Sequence, residues 1–136
     1  MNARKRLAIV VGLVMGLGVM GTALAEGSWS SFVSGARVGF YSRIWTDKNL
    51  DNVSTSVKFS NCRDSIQFNQ DNVTVAVRES VWGPDPWLAS KTLICVNSDT
   101  GFWGDLAASN YYFQITKIGG LTGTEHTIDA NVAVNY

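Results

Sequence analysis

Alternation of apolar and polar positions is the strongest pattern in this chain. In 73–79, "VTVAVRE", Val73, Val75 and Val77 fall on one side and Thr74, Ala76 and Arg78 on the other. The segment 54–61, "STSVKFSN", sets Thr55, Val57 and Phe59 against Ser56, Lys58 and Ser60. In 128–136, "IDANVAVNY", the residues Ile128, Ala130, Val132, Val134 and Tyr136 share a face, so this segment is expected to tie into a sheet. Three further stretches have strand length and strand composition: "RVGFYSRIW" (37–45), "KTLICV" (91–96) and "YYFQITKI" (111–118). Gly, Pro, Asn and Asp punctuate the gaps between them. Period-2 segments bounded by turn formers predict strands. No helical repeat follows residue 25, although "FWGDLAAS" has room for one turn. Strands without crossover helices predict an all-β fold, a single antiparallel β-sandwich of about six to seven strands.

The first residues read differently. Arg4, Lys5 and Arg6 precede a charge-free apolar run from Leu7 to Leu24, which closes on Ala23-Leu24-Ala25. A basic start, an apolar stretch and a small-x-small end predict a secretory signal, 1–25, cut after Ala25. A retained membrane anchor is the competing reading, and Gly12, Gly16, Gly18 and Gly21 inside the run weigh against it. The segment 26–36, "EGSWSSFVSGA", is small and polar apart from Trp29 and Phe32. It is expected as a flexible N-terminal arm, followed by a sandwich domain over 37–136.

Charge and cysteine content narrow the partners. Removing the signal leaves 8 Lys+Arg against 11 Asp+Glu, a net charge of −3. No long basic run remains, so nucleic acid and, after signal cleavage, membranes are poor partners. Cys62 and Cys95 are the two cysteines. In an exported chain they are expected to form one disulfide and imply a secreted, extracellular location.

Candidate chemistry is thin. His126 is the one histidine, too few beside bonded cysteines for zinc, and is read as a loop residue. Asp47, Asn49, Asp51 and Asn52 gather oxygen ligands but lack the glycine and terminal glutamate of an EF-hand. The Asn-Val-Ser/Thr triplets at 52–54 and 72–74 match glycosylation acceptors and are read as strand-entry turns. The acids are scattered over turns, and no nucleophile elbow or Gly-rich phosphate loop is present. A non-catalytic protein without cofactor or metal is the expectation.

The aromatics carry more. Trp45, at a strand end, is read as core, whereas Trp82, Trp87 and Trp103 fall between strands and Trp29 in the arm. Loops at the ends of a sandwich often bind, and tryptophan anchors interfaces and stacks on sugars. Each ring has the competing role of a lid on the core. In "VWGPDPW" (81–87), Pro84 and Pro86 fix φ and Gly83 permits a bend, which predicts a stiff connection. One of Trp82 and Trp87 is expected to cap the core and the other to face solvent.

Taken together, "YSRIWTDKNLDN", "VKFSNC", "GPDPW", the second cysteine, "FWGDL", "YYFQITKI" and "VAVNY" resemble small exported bacterial proteins, and the family they resemble is the adaptor subunit of umbrella toxin particles. The resemblance covers roughly Phe40 to Tyr136. It implies a non-enzymatic linker between two larger secreted proteins, a lectin-like subunit and a toxin-bearing subunit of an antibacterial complex. It also implies an N-terminal arm that enters a cleft on the lectin-like subunit, here 26–36 with Trp29 and Phe32 as anchors.

The expected function is therefore a secreted protein–protein adaptor, with Trp29, Phe32, Trp82, Trp87 and Trp103 as candidate partner-binding residues. A carbohydrate-binding module is the first alternative and requires Trp82, Trp87 and Trp103 exposed around one groove. A secreted protease inhibitor is the second and requires a protruding rigid loop within 81–90.

Overall fold

The computed structural model describes residues 26–66 and 71–136, so the expected signal segment lies outside the described residues. Eight strands form: β1 (Ser28–Arg37), β2 (Trp45–Asp47), β3 (Ser56–Asp64), β4 (Asn72–Glu79), β5 (Trp87–Ile94), β6 (Ser98–Phe102), β7 (Ser109–Ile118) and β8 (Thr127–Asn135). They make two four-stranded antiparallel sheets, in the orders β1-β8-β3-β6 and β2-β7-β4-β5. The fold is an all-β sandwich. Of the eight strands, β1 and β6 carry no alternation strong enough to have been predicted, and β2 shares only Trp45 with the strand expected over 37–45. Much of 37–45, in turn, is an extended segment laid on β7 by isolated bonds such as Gly39 N–H to Ile115 O and Ser42 N–H to Phe113 O.

The alternating residues meet between the sheets. Val57 and Phe59 of β3 and Ile128, Val132 and Val134 of β8 face Val73, Val75 and Val77 of β4 and Phe113 and Ile115 of β7. All are buried, and each side chain of this size stabilises by roughly 1.5–3 kcal/mol when fully buried. Phe59 and Phe113 meet edge to face at 5.5 Å, which fixes the spacing of the two layers at mid-core.

A bulge sets the staple. In β3 the register with β8 shifts between Ser60 and Arg63, and Asn61 takes φ 52°. The extra residue flips the alternation, so Cys62 returns to the interior instead of facing solvent. There it bonds Cys95, which follows β5 in the other sheet, across a Cα–Cα distance of 5.3 Å. The disulfide thus ties the two layers together.

The segment expected as a flexible arm is instead part of the sheet. β1 pairs with β8 from Ser28↔Asn135 to Arg37↔Thr127. Gly27 and Tyr136 exchange both backbone bonds, at 2.7 and 2.9 Å. A Cβ on Gly27 would lie 2.4 Å from the Tyr136 ring, so a larger residue here displaces that ring. The Glu26 carboxylate accepts the amides of Lys48 and, at 2.7 Å, Leu50. The boundary expected at 36/37 is therefore not a boundary. Serine and glycine give β1 little hydrophobic signal, but backbone pairing does not depend on side chains. Trp29, Val33 and Ala36 supply the inward contacts.

Candidate binding surface

The connection between β4 and β5, residues 80–86, is built around one aspartate. Asp85 Oδ1 accepts the Val81 amide at 3.1 Å, and Oδ2 accepts the Tyr112 hydroxyl at 2.7 Å. The Asp85 carbonyl accepts Arg78 Nη2–H at 2.7 Å. Ser80 N–H bonds Asn110 O at 2.8 Å and Glu79 N–H bonds Pro86 O at 3.2 Å. Pro84 and Pro86 restrict φ, and Gly83 sits at φ 109°, a left-handed value that other residues resist. The loop is held at its base, its middle and its flank, and it carries Trp82 fully exposed at the tip.

Electrostatics reinforce the geometry. The hydrogen bond from Tyr112, followed by that from the Val81 amide, holds the Asp85 carboxyl below the usual carboxylate range. Burial, then the bond to Asp85, pushes the Tyr112 hydroxyl above its ordinary value. Asp85 is thus charged at neutral pH and Tyr112 is a donor.

Around this loop the surface is aromatic. Trp87 is 54% exposed, and the Arg78 guanidinium stacks 4.4 Å from its ring centre. Arg78 is oriented by Gln114 Oε1 at 3.2 Å as well as by Asp85. Tyr41 meets Tyr112 edge on, with centroids 6.1 Å apart. Tyr41 and Ile44 are exposed and share an open depression of about 620 Å³ with Ser42, Arg43, Ser80, Asp85 and Tyr112. Stacking, a cation and exposed apolar area therefore lie on one face.

The other candidates lie elsewhere. The Trp103 indole N–H donates to Ala89 O, and its ring packs over Gly101, where a Cβ would approach it to 2.8 Å. Trp103 is half-buried and closes the flank between β5 and β6. Trp82, Trp87 and Trp103 do not line one groove. Neither Trp82 nor Trp87 belongs to the core, contrary to the expectation that one would cap it; Trp103 takes the lid role. Trp29 is half-buried, 6.2 Å from Phe113 and 6.3 Å from Trp45, with the Arg43 guanidinium 5.0 Å from its ring centre. Phe32 is 60% exposed on β1.

The polar candidates are occupied by local structure. Asp47 accepts the Asn49 amide at 2.8 Å and the Thr55 hydroxyl at 3.3 Å, and Asp51 accepts the Val53 amide at 2.8 Å. These are turn-forming bonds. His126 Nε2 lies 3.5 Å from Glu125 Oε1. Tyr41, Ile44, Arg78 and Tyr112 were not expected at the site. Tyr112 and Arg78 carried a faint signal, since both sit at outward positions of alternating strands.

Fold and surface together define a disulfide-stapled antiparallel β-sandwich that presents a rigid aromatic loop. Comparison with family models, curated proteins and solved structures finds no match to this chain. The disulfide is consistent with an oxidising environment, and no helix among the described residues is long and apolar enough to cross a membrane.

Proposed function

We propose that this protein is a secreted, non-catalytic adaptor that docks another protein through the surface formed by Trp82, Trp87, Tyr41, Ile44 and Tyr112. The observation that carries the reading is Trp82, fully exposed on a loop fixed by Asp85. Exposed tryptophan costs solubility, and interface hot spots are enriched in Trp, Tyr and Arg. A loop ordered before binding loses little entropy on docking. The resemblance to the umbrella toxin adaptor supplies the setting: partners that are a lectin-like and a toxin-bearing subunit of an extracellular antibacterial complex. Insertion of residues 26–36 into a partner is not part of the proposal, because those residues pair with β8.

The test is co-purification of the exported protein with its secreted partners from native culture. Trp82→Ala is expected to weaken capture by about tenfold or more while thermal stability holds. Capture unaffected by Trp82→Ala and by Tyr41→Ala would overturn the docking surface. The exposed rings also suit sugar stacking, and glycan binding that vanishes in Trp82→Ala, without protein capture, would replace the adaptor by the carbohydrate reading. Inhibition across a protease panel, lost in the same variant, would favour the inhibitor reading.

A further inference from the structure

On the opposite flank from the disulfide, the sandwich is open. A groove of about 190 Å³ runs between β1 and the extended segment 39–44. Trp29, Val33, Phe40 and Phe113 line its apolar side, Ser30, Ser31 and Ser42 its polar side, and Arg43 is the one charged residue among those that line it. Gly27 and Tyr136 form a hydrogen-bonded pair, and such pairs alternate along an antiparallel ladder. The N–H and C=O groups of Ser28, Ser30 and Phe32 therefore turn away from β8, toward the free edge. β1 is the last strand on this side of its sheet.

Edge strands are commonly guarded by Lys, Pro, inward charges or a covering segment. From Ser28 to Ala36 β1 has no charged residue and no proline, and its bulge between Val33 and Ala36 comes only at the far end. Ser30 and Ser31 are small, so another backbone can approach. Arg43 lies over the Trp29 ring, and no carboxylate forms an ion pair with it among the described residues. Asp85, which shares the neighbouring depression with Arg43, has both oxygens committed to Val81 and Tyr112.

We propose that this groove is a second binding site, which takes an extended acidic peptide segment of a partner protein as an added strand on β1. The segment bonds to the free backbone of Ser28, Ser30 and Phe32. Its alternate side chains enter the groove against Trp29 and Phe40, and a carboxylate meets Arg43. Backbone pairing supplies affinity in this mode, and the pockets and the charge supply selectivity. A second copy of this chain is the weaker fit, because its own edge strand would bring Arg37 and no acid. That the peptide belongs to a protein partner rests on the adaptor reading; the groove and its free edge do not.

Panning the purified exported protein against random dodecapeptides displayed on phage tests the site. Enriched sequences are expected to alternate apolar with polar residues and to carry Asp or Glu. A synthetic winner should shift the amide resonances of Ser28, Ser30 and Phe32. Its affinity should fall about tenfold or more in Arg43→Gln, which removes the charge, and in Ser30→Pro, which removes an outward donor and spares the bonds to β8. Trp82→Ala should bind it normally. No enrichment of such peptides, binding indifferent to both Arg43→Gln and Ser30→Pro, or a dimer that forms through β1 would each overturn the proposal. Peptide binding lost only in Trp82→Ala would overturn the groove and leave the aromatic surface standing.

Discussion

The two flanks of the sandwich solve the same problem in opposite ways. Where β5 faces β6, the layers are joined by Cys62–Cys95 and roofed by Trp103, whose ring sits on Gly101. Where β1 faces segment 39–44, a trough stays open and a backbone edge has no partner strand among the described residues. One flank uses its large aromatic for closure, and the other leaves Phe32 in solvent. Tryptophan count alone says little: the same residue type serves as roof at 103, core wall at 29 and exposed tip at 82.

Breaking the closed flank should cost most. Replacing both cysteines, Cys62→Ala with Cys95→Ala, is expected to destabilise by about 3–4 kcal/mol, because the bond closes a long loop in the unfolded chain. Urea titration measures it, and a loss under about 1 kcal/mol would deny that the staple matters. Gly101→Val is next, at roughly 1–3 kcal/mol, since the new side chain collides with the Trp103 ring. Near-ultraviolet circular dichroism should report the displaced indole.

Trp103→Phe removes a donor to Ala89 O and should cost on the order of 1 kcal/mol from that bond, beyond any change in packing. Trp45 offers the control. Its indole N–H is buried without an acceptor, so Trp45→Phe forfeits no hydrogen bond. If Trp45→Phe proves the more damaging in thermal melts, lost packing at Trp45 outweighs the lost bond at Trp103.

On the exposed loop, the same kind of change should leave stability nearly intact. Trp82→Ala should stay within about 0.5 kcal/mol of the parent. The loop has a pH signature instead. Asp85 titrates below the ordinary carboxylate range, so its contribution is present above that range and is lost as pH falls through the lowered value. Tryptophan fluorescence should therefore stay native-like until strongly acid conditions. Tyr112→Phe deletes the main cause of the lowering and should move the acid transition to higher pH; an unmoved transition would count against Asp85 as the clasp.

Much of the core could be read from the alternation of Val73–Val77 and Ile128–Val134, where burial imposes a period that side-chain chemistry displays. β1 could not, because Ser28, Ser30, Ser31 and Ser34 say nothing about a backbone that β8 pairs. β6, "SDTGF", is too short to show a period. The richness of 37–45 in aromatics suggested a full strand, yet those rings mostly flank an edge. For the site, Trp82 and the stiffness of 81–87 were legible from proline and glycine. The roles of Tyr112 and Arg78 were not, since Asp85 reaches Tyr112 only after the sheet brings positions 27 apart in sequence together. A lid role was open to each loop tryptophan, but that Trp103 takes it was hidden, because Ala89 lies on a strand of the other sheet.

The strand order has a kinetic consequence. β8 lies between β1 and β3, which are its partners from far earlier in the chain, and among the described strands only β4 and β5 form a neighbouring hairpin within one sheet. Loop-closure entropy must be overcome before such distant pairings stabilise anything, and folds of this kind take milliseconds to seconds. A chain with this strand order passes through a long unfolded interval, during which no cross-sheet bond persists under reducing conditions. Stopped-flow refolding with and without the disulfide would time that window, and sub-millisecond folding of the reduced chain would close it.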